Sequence, residues 1–415
     1  MRNNFLLISI IILGVFIRFY RFPDLLSFSY EQALALEASG KMIQTGKPSL
    51  IGVAYFIRQT SAGHSFFNSA FYLYPLSFSQ IIFGFDPLIT TIFFALLNVA
   101  AGIGLYFLLT KLQNRLVALS ALCLYMFSPT MVDISRSIWH VNLLVPVTVL
   151  SVWLIHQSIT SPKPIWLFLL GFSLGLGFGL NVSFALGVLG ALFYCGYFLN
   201  KKHRLFDFIF VFVGLGLGNL PTLLFDLRHN FYNITTFLTF LSEIISGRNT
   251  GLSLEPYHFI YFLVPLFIIT SIILSKYLSK ALIGLFLAIY VLTSISGWHL
   301  TDKYPQGMPT GTNLQTLRQL STIIAQNAPP EYEIASILDG ETRAENLRYF
   351  LNYGDHKPPM PSDKYPEAKT LFVVSYLDQD PLTKSVWELD SIKPAEVSQE
   401  WKINELIKLT KLEKL

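Results

Sequence analysis

Long apolar runs that contain almost no charged residue limit most strongly how this chain can fold. A helix that spans a bilayer needs roughly 20 predominantly apolar residues. Only 13% of the residues are charged, against about 25% in an ordinary soluble protein, so a single water-soluble globule is excluded. We predict spans near residues 5–20, 88–110, 116–134, 141–158, 165–180, 182–200, 206–226, 256–275 and 281–298.

One further apolar run, residues 66–83, contains Asn68, Pro75 and Gln80 and fits either a span or an interfacial helix. The distribution of basic residues favours the interfacial helix. Short cytoplasmic loops of membrane proteins are enriched in Lys and Arg, and a full span at 66–83 would move the basic loops that follow it to the outer side. With the N-terminus inside and residues 66–83 outside the bilayer, the inner segments hold Arg2, Lys111, Arg115, Lys163, Lys201, Lys202, Arg204, Lys276 and Lys280. We therefore predict an integral membrane protein with about nine spans and a cytoplasmic N-terminus.

This topology places residues 21–87, 134–141, 227–255 and the tail from 299 onward outside the membrane. The tail, residues 299–415, holds 13 basic and 17 acidic residues, whereas residues 1–300 hold 17 and 9. We expect a membrane domain over 1–298 and a small extracytoplasmic α/β domain over 299–415. Helices are predicted at 312–328 and 341–354, the second closed by Gly354, and strands of a small parallel sheet at 332–338 and 370–377.

The first outer segment, 21–87, contains a candidate general base. A helix is predicted over 27–43, with Ser29 and Gln32 at the spacing of a capping box. Glu31 then lies in the first turn, where the helix dipole favours an ionised carboxylate. A fixed carboxylate at the mouth of a membrane domain suits proton abstraction; alternatively, Glu31 only complements the helix start.

A second polar cluster, Asp133, Arg136, Trp139 and His140, lies in the short outer turn between two predicted spans. Polar residues at a membrane face are costly to bury and often mark function. An arginine with a histidine suits phosphate binding, the arginine through its bidentate fork. The alternative is an interfacial Trp belt with an Asp–Arg pair.

A third cluster, Asp226, Arg228 and His229, ends a predicted span on the same outer side. Two Arg–His clusters on one face favour phosphate binding, to which Arg58 and His64 of the first loop would add. Anchoring of a span end is the other interpretation. The glycines of two further runs are interpreted as close helix packing: Gly171, Gly175, Gly177, Gly179, Gly214, Gly216 and Gly218.

Five segments in this order resemble polytopic GT-C glycosyltransferases. They are RFYRFPDLLSFSYEQA (18–33), GKPSLIG (46–52), the run at 66–83, SPTMVDISRSIWHVNLLVP (128–146) and PTLLFDLRHNFYN (221–233). The resemblance is to the branch of protein O-mannosyltransferases and lipid A aminoarabinose transferases, including uncharacterised bacterial members. It covers roughly residues 1–235.

The resemblance implies a hexosyl or pentosyl transferase that moves a sugar from a polyprenyl-phosphate carrier to an acceptor on the outer face. It implies an acidic base in the first loop, here Glu31, and basic residues that hold the lipid phosphate: Arg136, Arg228, His140, His229 and Arg58. Tyr30, His64, Trp139 and Asp133 are the expected substrate contacts. Many members carry Asp-Glu or Trp-Asp-Gln where this chain has Tyr30-Glu31-Gln32. The Glu31 side chain is one methylene longer than the aspartate of those members. The replacement could be tolerated, could alter the active site, or could leave the protein without catalytic activity.

The predicted partners are the bilayer, the polyprenyl-phosphate sugar and an unidentified acceptor, with no nucleic acid. We expect no cofactor and no metal, because the first loop has too few carboxylates for a magnesium or manganese site. Two cysteines, Cys123 and Cys195, provide neither a disulfide framework nor a zinc site. A lipid-linked-sugar flippase or other transporter is the main alternative, and a silent lipid-binding homologue is a third.

Overall fold

The computed structural model describes residues 4–161, 163–199, 208–249 and 256–415, without the side chains of residues 55–58, 195, 198 and 199. Helices dominate the chain up to residue 300. They are α1 (Phe5–Phe19), α2 (Phe22–Leu25), α3 (Tyr30–Thr45), α4 (Leu73–Phe83), α5 (Pro87–Leu112), α6 (Arg115–Phe127), α7 (Pro129–Ile134), α8 (Leu144–Thr160), α9 (Pro164–Leu180), α10 (Ala185–Leu199), α11 (Ile209–Gly218), α12 (Leu220–Arg228), α13 (Tyr232–Ile245), α14 (Leu263–Tyr277) and α15 (Lys280–Ser294).

Among the described residues, three helical segments are long and apolar enough to cross a membrane: Pro87–Leu112, His140–Thr160 and Pro256–Tyr277. Helices α11 and α12 meet at 75° and provide a fourth if the bent pair is one span. Shorter apolar helices lie at most of the other predicted spans, namely Phe5–Phe19, Arg115–Phe127, Pro164–Leu180, Val182–Tyr194 and Lys280–Ser294. The count of nine therefore stays a prediction, and residues 200 and 206–207 of two predicted spans lie outside the described residues.

The prediction of one interfacial helix over 66–83 is wrong in its first part. Residues Ser65–Ser69 form strand β2, which pairs antiparallel with β1 (Ile51–Gln59). Composition alone did not distinguish this strand from a helix. The strand is stabilised by pairing with β1, which lies on the other side of the turn at residues 60–64. Helix begins at Ala70 with a single 3₁₀ turn and continues as α4, whose Ile81, Ile82 and Phe83 are exposed.

The tail forms a sheet with helices beside it. Its elements are α16 (Leu314–Asn327), β3 (Glu333–Ser336), α17 (Glu345–Tyr353), β4 (Thr370–Tyr376), α18 (Trp387–Asp390), β5 (Ala395–Lys402) and β6 (Ile407–Lys414). Both predicted strands and both predicted helices are present. The strand order is β3-β4-β6-β5.

The predicted parallel sheet is only partly correct. Strands β3 and β4 are parallel, but β6 pairs antiparallel with both β4 and β5. The prediction contained only β3 and β4, the two strands on either side of α17. It missed the C-terminal hairpin that β5 and β6 form. Helix α17 also starts later than residue 341, and Gly354 ends it with φ −92°, not in a left-handed conformation.

The tail packs directly on the first outer segment. Rings of α17 contact Phe28: the Phe28 ring centroid lies 5.6 Å from that of Tyr349 and 5.7 Å from that of Phe350. The Tyr349 hydroxyl donates to the Phe85 carbonyl at 2.8 Å, and Arg318 of α16 pairs with Asp86 at 2.7 Å. One continuous hydrophobic core therefore joins the tail to the helical part of the chain.

Candidate functional site

Glu31 is positioned by a capping box at the start of α3. The backbone N–H of Ser29 donates to Gln32 Oε1 at 2.8 Å, and the Ser29 side chain accepts from the backbone of Gln32. These reciprocal bonds satisfy backbone donors that a helix start leaves unpaired. The predicted cap is thus present, and Glu31 lies in the first turn.

A cavity of about 430 Å³ opens beside this helix start. Four of the predicted site residues line it: Glu31, Asp133, Arg136 and Trp139. The other lining residues come from α2, α3 and the loop between them, from α7 and the turn after it, from the segment before α14 and from the beginning of the tail; they include Ser27, Ser29, Gln32, Tyr257, His299, Tyr304 and Gln306. Segments far apart in sequence therefore converge on the Glu31 carboxylate.

The carboxyl of Glu31 is in a poorly solvated position. Burial raises its pKa above the ordinary value, while hydrogen bonds from Tyr30 and Trp139 act in the opposite direction. The Tyr30 hydroxyl lies 3.4 Å from Glu31 Oε1, and burial, with the neighbouring Glu31 charge, raises the pKa of Tyr30 to about 12. Tyr30 is therefore the hydrogen-bond donor in this pair at neutral pH, and burial makes the carboxylate form of Glu31 more basic than that of a solvated glutamate.

Arg136 is held rigidly at the cavity wall. Its guanidinium donates to the carbonyls of Trp298 at 2.7 Å and Ile17 at 2.8 Å, with a longer contact of 3.5 Å to the Arg18 carbonyl. The side chain is buried. A guanidinium has five N–H donors, so these three bonds leave two, and the positive charge is fixed next to the cavity.

Two parts of the site were missed by the sequence-based prediction. Tyr257 lies against Trp139, with 4.2 Å between their ring centroids. His299 follows helix α15, and its Nδ1 lies 3.0 Å from Asp302 Oδ2, which also accepts from Gln306 Nε2 at 2.6 Å. The sequence does show polar residues directly after the predicted span at 281–298. Nothing in that local pattern indicates that these residues lie near Glu31.

The remaining predicted residues do not line this cavity. His140 is buried beside it, with its ring centroid 5.9 Å from that of Tyr72. His64, Arg228 and His229 are exposed, and the His229 ring stacks on Phe225 at 4.2 Å. The side chain of Arg58 lies outside the described residues. The two Arg–His clusters therefore do not meet, since only Arg136 contributes to the cavity.

The described residues contain no group of three or more His, Cys, Asp or Glu side chains arranged to hold a metal ion. The acidic and basic side chains that line the cavity are Glu31, Asp133, Arg136 and His299. Such a set can accept a proton at Glu31 and stabilise negative charge near Arg136.

Comparison with known proteins concerns the fold of the chain. The family model for dolichyl-phosphate-mannose-protein mannosyltransferase matches residues 69–222. No curated protein matches the chain in sequence. Two crystal structures of ArnT from Cupriavidus metallidurans are similar, both at 11% identity. The apo structure has a TM-score of 0.55 and covers 100% of this chain and 99% of that one. The structure bound to undecaprenyl phosphate has a TM-score of 0.59 and covers 99% and 98%.

The chain therefore has the fold of ArnT over its whole length. Together with the match to the mannosyltransferase family model, this fold confirms the resemblance that the ordered sequence segments indicated.

Proposed function

We propose that this chain is an integral-membrane glycosyltransferase that moves a sugar from a polyprenyl-phosphate donor to an acceptor hydroxyl at the outer membrane face. The cavity that unites Glu31, Arg136 and Trp139 carries the proposal, since it combines a base with a fixed positive charge. The ArnT fold and the mannosyltransferase model support the choice of reaction. A similar structure that holds undecaprenyl phosphate supports the choice of carrier.

Glu31 acts as the general base. Its carboxylate accepts the proton of the acceptor hydroxyl, and the resulting oxygen nucleophile attacks the anomeric carbon from the face opposite the phosphate. The new glycosidic C–O bond forms as the bond from that carbon to the phosphate oxygen breaks, which inverts the configuration. The raised pKa of Glu31 makes it a stronger base than a solvated glutamate.

Arg136 stabilises the leaving phosphate. Negative charge grows on the phosphate as its bond to the sugar breaks, and a preorganised positive charge in a poorly solvated site lowers the energy of that state. The carbonyl bonds from Ile17 and Trp298 hold the guanidinium in place before substrate arrives. Trp139 and Tyr257 provide aromatic surface for the sugar ring.

The test uses purified protein in lipid with a panel of labelled polyprenyl-phosphate sugars. Glu31→Gln keeps the shape of the side chain and removes the base, so we expect turnover to fall roughly 100-fold or more while carrier binding persists. Glu37→Gln is the matched control: it lies on the same helix, and Glu37 pairs with Lys41 at 2.8 Å and does not line the cavity.

Each outcome separates the competing functions. Unchanged turnover in Glu31→Gln, or an equal loss in Glu37→Gln, would show that Glu31 is not the base. Carrier binding without turnover for every donor would indicate a silent homologue. Movement of intact donor across the bilayer would indicate a transporter.

A further inference from the structure

A second cavity, of about 320 Å³, lies among α9, α11, α12, α13 and strand β2. It shares no lining residue with the cavity at Glu31. Most of its wall is apolar or aromatic, with Phe66, Phe67, Phe178, Val182, Leu223 and Phe237 among the lining residues. The function proposed above does not use this space.

Four polar atoms in residues that line this cavity have no hydrogen-bond partner among the described residues. They are Asn68 Oδ1, Asn219 Oδ1, Thr222 Oγ1 and Asp226 Oδ2. Asp226 is 1% exposed, Thr222 7% and Asn68 8%. Buried polar atoms are normally paired, because an unpaired one loses its interaction with water without replacement. Four such atoms around one cavity indicate a polar ligand group.

The position of Asp226 is fixed by the surrounding structure. Asp226 Oδ1 accepts the backbone N–H of Asn233 at 2.7 Å, which leaves Oδ2 as the unpaired oxygen. Asn233 Oδ1 in turn accepts the backbone N–H of Phe67 at 2.7 Å. Strand β2, the end of α12 and the start of α13 are thereby joined beside the cavity, so Asp226 Oδ2 is in place before a ligand binds.

The hydrogen-bonding properties of the unpaired atoms indicate which head group the cavity can bind. One carboxylate oxygen and two amide oxygens accept hydrogen bonds, and the Thr222 hydroxyl donates or accepts. Among the described residues, no lysine, arginine or histidine lines the cavity, so a phosphate or carboxylate head group is unfavourable beside Asp226. Hydroxyl groups donate to the three acceptors and either donate to Thr222 or accept from it, so an uncharged head with several hydroxyl groups satisfies all four atoms.

The apolar wall of the cavity indicates that the remainder of the ligand is hydrocarbon. Ile234 and Leu238 line the cavity and are 41% and 56% exposed, so the cavity opens between apolar side chains on the protein surface. Neighbouring Leu227 and Leu241 are also exposed. Hydrocarbon entering here stays in contact with apolar groups along its length.

We propose that this second cavity binds a neutral amphiphile whose hydroxyl-bearing head contacts Asn68, Asn219, Thr222 and Asp226 and whose hydrocarbon chain leaves between Ile234 and Leu238. This binding does not depend on the glycosyltransferase activity, because the two cavities are separate.

The test measures photolabelling of the full-length protein in phosphatidylcholine nanodiscs. The probe is a long-chain monoacylglycerol with a diazirine in its chain; the comparison probes are its dimethyl ether, which has no hydroxyl, and the corresponding fatty acid. We expect the diol to label α12 and α13 and to bind at least about threefold more tightly than the ether, as loss of neutral hydrogen bonds predicts. Equal labelling by diol and ether, or stronger labelling by the fatty acid, would overturn the proposal.

Two variants test the polar contacts directly. Thr222→Val conserves shape and removes the hydroxyl, and Asp226→Asn can keep the bond to Asn233 while turning an N–H into the cavity. Each is expected to weaken diol binding roughly threefold to tenfold without changing ether binding. Thr239→Val is the matched control, since Thr239 is exposed on α13 and does not line the cavity. An equal effect of Thr239→Val, or none of Thr222→Val and Asp226→Asn, would refute the assignment.

Discussion

The basicity of Glu31 depends on two opposing influences on one carboxylate. Burial disfavours its ionised form, and hydrogen bonds from Tyr30 and Trp139 favour that form. Since burial is the larger influence, the pKa lies above the ordinary value. If ionised Glu31 is the base, turnover falls as the pH drops through this raised pKa.

Tyr30→Phe isolates one of these influences. The variant removes a hydrogen bond to the ionised form, so the pKa of Glu31 rises further and the acidic limb of the rate profile moves to higher pH. The measurement is the pH dependence of kcat/KM in the wild type and the variant. Tyr20→Phe, which changes an exposed ring outside the cavity, is the control. If the acidic limb of the pH profile stays in place in Tyr30→Phe, that limb reports the titration of a group other than Glu31.

The sequence predicted individual site residues where chemistry and local spacing coincide. Ser29 and Gln32 predicted the cap that places Glu31, and one short turn contained Asp133, Arg136 and Trp139. His299 and Tyr257 were missed because their relation to Glu31 exists only after distant segments pack together. The carbonyl partners of Arg136 on Ile17 and Trp298 could not be predicted for the same reason.

Between elements, α9 and α11 approach each other closely at their glycines. A Cβ atom built on Gly214 would lie 2.1 Å from the Phe168 carbonyl oxygen, and one on Gly171 would lie 2.0 Å from the Val211 oxygen. The small-residue spacing therefore does reflect close packing for these helices. Backbone atoms, not flexible side chains, oppose any added group.

Gly214→Ala is accordingly expected to force the two helices apart and to lower the midpoint of thermal unfolding in lipid. Gly284→Ala is the control, because a Cβ there meets nothing within 4 Å and alanine favours helix by about 0.5–1 kcal/mol. Retention of the wild-type midpoint in Gly214→Ala would contradict the packing argument.

In the tail, a buried ion pair connects α17 to β3. Arg348 pairs with Glu333, and their side chains are 7% and 0% exposed. Burial raises the pKa of Glu333 to about 7 despite the neighbouring guanidinium. Loss of the arginine leaves the carboxylate buried without its counter-charge, which typically costs about 3–5 kcal/mol.

Arg348→Met should therefore destabilise the tail by about that amount at pH 8, and by less at pH 5. The sign follows because the folded state disfavours ionised Glu333, so stability falls as the pH rises above the unfolded pKa. Tryptophan fluorescence of Trp387 and Trp401 during denaturation provides the measurement. Arg343→Met, at an exposed position on the same segment, should leave stability nearly unchanged; an equal loss there would contradict the role of the ion pair.

For the whole molecule, a helical part followed by a mixed tail was predictable, and the contacts between them were not. Apolar runs indicated the helical part, and the polar composition after residue 298 indicated a separate tail. The packing of Tyr349 and Phe350 on Phe28 joins surfaces over 300 residues apart, which no local pattern encodes. The same limit applies to β2 and to the antiparallel partners of β6.

Orientation is testable on the intact protein. With Cys123 and Cys195 replaced, we expect Ser398→Cys in the tail to react with a membrane-impermeant maleimide added to intact cells. Gln113→Cys, in the turn between α5 and α6, should react only after permeabilisation. Both positions are exposed, so differing reactivity reports the side of the membrane. The reverse pattern would invert the predicted topology.

The distance in sequence between the walls of the cavity at Glu31 also has a consequence for biosynthesis. The ribosome delivers the Glu31 segment long before His299 and Tyr304, which line the same cavity. A nascent chain that stops before residue 299 therefore has the carboxylate but lacks one wall of its cavity. Assembly of the site is thus tied to synthesis of residues 299–307, so the full cavity does not form until the chain beyond α15 has been made.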